Sequence, residues 1–202
     1  VEKSYRKLKF EDKMVLPVVA YGHPVLKHVA EDIEENSPEI QQLIADMFET
    51  MYHTEGVGLA APQINKSIRL FVIDCDPFKD KYPEGAGVKK VFINAEIIEL
   101  SGEPWTFREG CLSLPDMGED VERPSKVKMY YMDENFEEHE EEFDGIVARV
   151  IQHEYDHLEG KCYVDRISSM RKMLLKNKLR NISEGNVDVD YKMIFPNKKH
   201  RR

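Results

Sequence analysis

The sequence predicts an α+β fold: antiparallel β-sheets packed around one central helix, with a further helix toward each end of the chain. Three observations carry this. Apolar residues recur at three- and four-residue intervals from Gly145 to Gly160 and again from Pro38 to Thr54. Between those stretches the apolar positions follow strand patterns punctuated by Gly and Pro. At 202 residues, with 41% hydrophobic and 33% charged side chains, the chain reads as one globular domain with a real core rather than as two.

Residues 1–13 are polar and aperiodic, and Met14 precedes an apolar run, so 1–13 is expected to be a leader or appended segment. Ser37-Pro38 offers an N-cap followed by proline at the first helical position. Ile40, Leu43, Ile44, Met47, Phe48 and Met51 then share one helical face, and the helix is expected to end near Thr54. Ile68 to Asp74 reads as a buried strand, Asp76 to Gly87 as a loop and Val91 to Leu100 as a strand. Lys126 to Met132 alternates charged and apolar residues, and Phe136 to Phe143 reads as a polar, exposed strand, so antiparallel hairpins are expected. Ile146, Val147, Val150, Ile151 and Leu158 define the central helix, with Gly160 as its C-terminal stop. A last helix is expected over about Ser169 to Asn181 from Met170, Met173, Leu174 and Leu179.

The apolar runs fall far short of the ~20 residues that a membrane-spanning helix needs, and no segment resembles a secretory signal. No membrane contact and a cytoplasmic location are therefore expected. Cys75, Cys111 and Cys162 are an odd, scattered set, which argues for free thiols in a reducing compartment. Charge is uneven: residues 171–202 carry a net +7, whereas 1–170 carry −16. Such a basic tail fits contact with a polyanion such as RNA, and equally a solvated chain end.

The chemistry centres on His153-Glu154-Tyr155-Asp156-His157. Histidines four apart on a helix lie about 40° apart around its axis, close enough to hold one ion, and Glu154 is placed to act as a base. A chance HExxH on a surface helix is the alternative. The apolar character of this helix argues against it, since a Glu and two His on the buried side need a partner. A catalytic site needs a third protein ligand and an open position. Cys111, in Glu109-Gly110-Cys111-Leu112-Ser113, is the best candidate, because glycine lets backbone approach and a turn or strand end can present a thiolate. Cys75 and Cys162 read as small buried hydrophobes. In Gly56-Val57-Gly58-Leu59-Ala60-Ala61-Pro62-Gln63 the small residues leave room for a substrate backbone, and Gln63 offers an amide donor to a developing oxyanion. A tight turn explains the glycines equally well.

GVGLAAPQ, EGCLS and HEYDH, in this order and at these intervals, resemble the three signature motifs of the peptide deformylases, and the resemblance runs from about Leu16 to Ile167. It implies a hydrolase that removes the formyl group from N-terminal formylmethionine of nascent chains and releases formate. It implies a metal held by Cys111, His153 and His157, with Glu154 as general acid and base and with Gln63 and the Leu112 N–H as donors to the formyl oxygen. The peptide would pair with main-chain groups of Val57 and Gly110. The methionine pocket would comprise Val57, Gly58, Phe107, Ile146, Val150 and His153, with Arg149 at the rim; the plain alternative for Arg149 is a long side chain that covers an apolar wall with its stem and keeps its charge in water. Glu109 would pair with Arg123 and steady the ligand loop. The division that follows is a leader over 1–13, a catalytic domain over 14–168 and a basic C-terminal helix and tail over 169–202.

Two departures affect substrate preference. Many bacterial relatives place a basic residue at or near Gly118, where this chain reads Pro115-Asp116-Met117-Gly118-Glu119, and the Asp76 to Gly87 loop is longer than in compact members. Ligand chemistry alone points to zinc, whereas the resemblance implies Fe²⁺, replaceable by Zn²⁺, Ni²⁺ or Co²⁺. It also implies a ribosome contact through the basic C-terminal segment, and a monomer is favoured. Two other readings stand beside this one. An HExxH metallo-endopeptidase also needs metal and Glu154, but lacks the cysteine ligand and has a downstream His or Glu motif that is missing here. A structural metal site in an RNA-binding module would call for a fourth protein ligand.

Overall fold

A computed structural model describes residues 13–196 of the chain. The expected leader, Lys13 apart, lies outside the described residues, as does the tail from residue 197. A two-residue strand, β1 (Val18–Val19), precedes the first long helix, α1 (Pro38–His53). Ser37 accepts a hydrogen bond from the Ile40 N–H at 3.3 Å, and Pro38 follows at the first helical position, so α1 starts where its cap dictates.

Five strands form one antiparallel sheet in spatial order: β2 (Gly58–Ala60), β3 (Leu70–Asp74), β4 (Lys89–Cys111), β5 (Leu114–Met132) and β6 (Glu138–Asp144). The apolar run of β3 is unbroken because both of its faces are covered. Leu70 and Val72 pack with Met47 and Met51 of α1, while Phe71 and Ile73 pack with Ile146, Val147 and Ile151 of the central helix. Each such side chain contributes about 1.5–3 kcal/mol by leaving water.

β4 and β5 run well beyond the predicted Val91–Leu100 and Lys126–Met132. Pro104, Pro115, Pro124 and Gly118 hide the extra length from a propensity reading, since proline and glycine normally mark strand ends. Register shifts between Ile93 and Glu96, Ile97 and Glu99, and Ser101 and Pro104 let the pair bend, and the ribbon delivers Cys111 at its far end. The Glu-rich segment is the outer strand β6, whose Glu140 and Glu142 pair with Lys128 and Lys126 of β5. Charge on an exposed sheet edge discourages pairing with another chain. Phe136, expected in this strand, lies in the preceding turn with φ +63°.

The central helix, α2 (Gly145–Leu158), packs against β2, β3, β5 and β6. Its start is capped by Asp144 and by Glu84 of the 76–87 loop, which accepts from the Ile146 N–H at 3.1 Å. It ends at Gly160, where φ is +66° and an added Cβ would stand 2.6 Å from the Lys27 carbonyl oxygen. Gly160→Ala is therefore expected to cost about 1–3 kcal/mol, a fall in melting temperature of about 2–4 °C per kcal/mol. Calorimetry showing no change would remove the steric argument.

The single C-terminal helix predicted over Ser169–Asn181 is two: α3 (Ser169–Leu174) and α4 (Lys176–Ser183), broken at Leu175. The break lets Leu175, Leu179 and Ile182 join Leu114, Val121 and Tyr163 in a core cluster, while Met170, Met173 and Leu174 stay exposed. The chain then returns as β7 (Met193–Ile194), parallel to β1, a pairing too short and too distant in sequence to leave a periodic signal. Among the described residues no helix is long and apolar enough to cross a membrane.

Candidate active site

Three elements converge on one point: the end of β4, the C-terminal half of α2 and the short segment after β2. The ligand-type atoms of Cys111, His153 and His157 all lie within 4.8 Å of one another, with Cys111 Sγ 3.4 Å from His157 Nε2. Gln63 closes the group. Its Oε1 accepts from the Ala60 N–H at 2.8 Å, which turns its amide nitrogen toward Cys111 Sγ at 3.4 Å. Sequence alone placed Gln63 near this chemistry; the Ala60 hydrogen bond fixes which end of its amide faces the site.

Behind the histidines lies a buried polar network. Glu109, 4% exposed, accepts from Arg123 at 2.7 and 3.0 Å, from Arg149 at 2.9 Å and from His153 Nδ1 at 2.8 Å. The last bond fixes the tautomer of His153 and leaves its Nε2 free for the site. Arg123 also donates to Asp156 at 2.8 Å, and Asp156 is held in turn by Arg166. Asp156 and Arg166 escaped the sequence reading. Arg149, Gln152 and Asp156 form a polar stripe at helical spacing opposite the apolar face of Val147, Ile151 and Leu158, and such a stripe reads as a solvated face although all three residues are buried.

The charges answer to this environment. Burial pushes the Glu109 carboxyl up, but hydrogen bonds from Arg123 and His153 outweigh it and hold it well below the carboxylate range. Burial likewise raises the Cys111 thiol, yet the His157 charge and hydrogen bonds from both histidines outweigh it and favour the thiolate. Burial disfavours the His153 charge, and its bonds to Cys111 and Glu109 reverse this and raise it to about 10. For Glu154 burial prevails: the carboxyl is pushed up to about 7 despite the charges of His153 and His157. A thiolate and two imidazole nitrogens, with no fourth His, Cys, Asp or Glu joining the group among the described residues, make a donor set of the borderline-soft kind that suits a divalent transition ion. Glu154, buried within electrostatic reach of Cys111, His153 and His157, leaves its Oε2 without a hydrogen-bond partner, and such an orphaned carboxylate oxygen beside this donor set fits a metal.

A cleft of about 1150 Å³ opens beside this group, walled by Val57, Gly58, Phe107, Gly110, Leu112 and Val150, among others. Three expectations change here. Ile146 does not line the cleft: it is fully buried one layer behind, under the 76–87 loop, whose Glu84 and Gly85 meet it. Arg149 is among the residues that line the cleft, but its charge does not stand in water. It is 2% exposed, bonded to Glu109 and to the Val121 and Trp105 carbonyls, and its guanidinium lies 4.7 Å from the Trp105 ring centroid. A charge this deep is tolerated because a carboxylate and two carbonyls accept its protons. The Val57 carbonyl is also engaged, accepting from the Asp74 N–H at 2.9 Å, so Val57 faces β3. Alternation leaves Gly58 and Ala60 main-chain groups on the free edge, consistent with the Ala60 N–H reaching Gln63. Gly58 has a second role in the packing: an added Cβ would stand 2.8 Å from Glu154 Cδ. Cys75 and Cys162 are fully buried free thiols.

The helix-borne HExxH, its buried carboxylate and the Cys/His/His group on a mixed sheet-and-helix frame define the class of metal-dependent hydrolases. Comparison with known proteins narrows the class. The family model described as polypeptide deformylase matches residues 15–173. The peptide deformylase of Cytophaga hutchinsonii is 53% identical over 92% of this chain and all of its own length. That of Christiangramia forsetii is 50% identical over 94% of this chain and likewise all of its own length. Among solved structures, a peptide deformylase from Legionella pneumophila superposes with a TM-score of 0.74 at 36% identity, covering 85% of this chain and 97% of its own. The Synechococcus elongatus enzyme in complex with actinonin gives 0.71 at 35%, covering 87% and 90%. The chain belongs to the polypeptide deformylase family.

Proposed function

We propose that this enzyme removes the formyl group from formylmethionyl nascent peptides through Glu154, Gln63 and the Leu112 N–H, at an Fe²⁺ ion held by Cys111, His153 and His157. One observation carries the assignment of roles: the Gln63 amide is locked by the Ala60 N–H so that its donor end faces the Cys111 thiolate. A divalent ion bound there would polarise a carbonyl oxygen and acidify water.

The remaining work falls to the chain's own groups. Gln63 Nε2 and the Leu112 N–H hold the formyl oxygen as it gains charge. Glu154, with its carboxyl near 7, accepts the proton of the attacking water and passes it to the departing amine. The peptide extends along the free edge of β2, pairing with Gly58 and with Gly110 across the cleft, in the manner of strand addition. Its methionine side chain enters between Val57, Phe107 and Val150. Glu109 and Arg123 hold His153 in place from behind.

We further propose that the protein works as a monomer in the cytoplasm and meets the ribosome through α3 and α4, where Lys172, Lys176, Lys178 and Arg180 sit beside exposed Met170, Met173 and Leu174. The decisive assay is anaerobic: iron-loaded protein is given a formyl-Met-Ala-Ser peptide and its acetylated counterpart. Formate release from the first with no cleavage of the second is expected. Internal cleavage of the acetylated peptide would instead identify an endopeptidase.

A further inference from the structure

The turn joining β4 to β5 carries Cys111 and Leu112, and segments near both ends of the described chain hold it from outside. The Tyr21 N–H, just after β1, donates to the Ser113 carbonyl at 2.8 Å. The Tyr191 hydroxyl, just before β7, donates to the Leu112 carbonyl at 2.8 Å. These two anchors are tied to each other. β1 and β7 pair Val18 with Met193 and Val19 with Ile194, and the Ala20 N–H donates to the Ile194 carbonyl at 2.8 Å. Residues 188–191 also form part of the cleft wall, so this strap belongs to the site and not only to the scaffold.

We propose that Tyr191 is a positioning residue for the reaction: its hydrogen bond to the Leu112 carbonyl fixes the residue whose N–H receives the formyl oxygen. The inference rests on the reading of the Leu112 N–H as an oxyanion donor. Two successive carbonyls of the turn are pulled in defined directions by Tyr191 and Tyr21, which leaves Leu112 little freedom to rotate. A donor of this kind works by standing where charge develops, so a displacement well under an ångström registers in the chemical step. Ground-state binding would rest on the β2 edge and on the methionine pocket between Val57, Phe107 and Val150, and removing only the Tyr191 hydroxyl leaves the ring that lines the cleft in place.

Tyr191→Phe in the full-length, metal-loaded enzyme keeps the ring and removes the hydroxyl. The expected result is a roughly tenfold lower kcat, milder than the 10²–10³ of deleting an oxyanion donor outright, with KM for the formyl-Met peptide unchanged within about twofold. Tyr191→Met, which keeps apolar bulk without the hydroxyl, must give the same split. Lys192→Gln, exposed on the same strap and outside the cleft lining, should behave as wild type. Amide hydrogen exchange supplies a reading independent of turnover: residues 112–114 should exchange faster in Tyr191→Phe. An unchanged kcat, a loss carried wholly by KM, or unchanged exchange at 112–114 overturns the assignment. Wild-type protein inactive on formyl-Met peptide would overturn the reading of function instead, and the exchange measurement would still decide whether Tyr191 holds the turn.

Discussion

Glu154→Gln is expected to lower kcat for formate release by about 10²–10⁴ while the protein folds and loads metal normally. The amide is close to the carboxylate in shape, and Glu154 makes no hydrogen bond through Oε2 that its loss would break. What disappears is the ability to hold and release a proton near neutrality. Burial favours the protonated form of this carboxyl against the pull of the neighbouring histidine charges, in keeping with the acid–base role proposed for it. Metal content by elemental analysis and rate by formate assay separate the two contributions. A variant with normal metal and normal rate would show that the proton travels by another route. Gly58→Ala should reproduce part of the loss from the opposite side, since its methyl group would push on the Glu154 carboxyl.

Glu109→Ala is expected to produce the largest loss of stability, about 3–5 kcal/mol. The substitution leaves Arg123 and Arg149 buried at 2% exposure with a shared counter-charge removed, and it frees His153 Nδ1. Metal affinity should fall by about 10–100-fold, because His153 loses the bond that fixes its ring. The sign of the pH dependence follows from the depressed carboxyl. In the wild type the contribution of Glu109 is complete above its ordinary value of 4.5 and is lost only as pH falls toward its much lower folded value. The gap in denaturant midpoint between wild type and variant should therefore be widest between about pH 4.5 and 6.5, close in strong acid as Glu109 protonates, and narrow again as pH rises toward about 10, where His153 loses the charge that Glu109 supports. A gap that vanishes at pH 6 would mean the network is not what stabilises this region.

Much of the site is legible in the sequence itself, because motifs written on one helix or one turn fix their own geometry. His153 and His157 share a helix face whatever the fold, and Cys111 and Leu112 stay adjacent. What escapes such a reading depends on distant pairings. Asp156 lies inside the HEYDH motif, yet its role appears only when Arg123 of β5 and Arg166 arrive beside it. Arg149 reads as a pocket-rim arginine because nothing local announces that Glu109 and two carbonyls will accept its protons. The lengths of β4 and β5 are hidden by proline and glycine, whose usual meaning is overruled where a ribbon must bend. The break at Leu175 follows from a demand of the core that the charged sequence around it does not reveal.

The pairing of β1 with β7 joins residues about 175 positions apart. Closing so long a loop is entropically slow compared with forming the hairpins between β3 and β6. During synthesis the sheet and α2 can assemble first, while β1 waits for a partner that emerges among the last described residues. If the sheet and α2 assemble first, the turn bearing Cys111 and Leu112 gains its outer anchors only when β1 and β7 meet, which ties the last contacts of the chain to the setting of this turn.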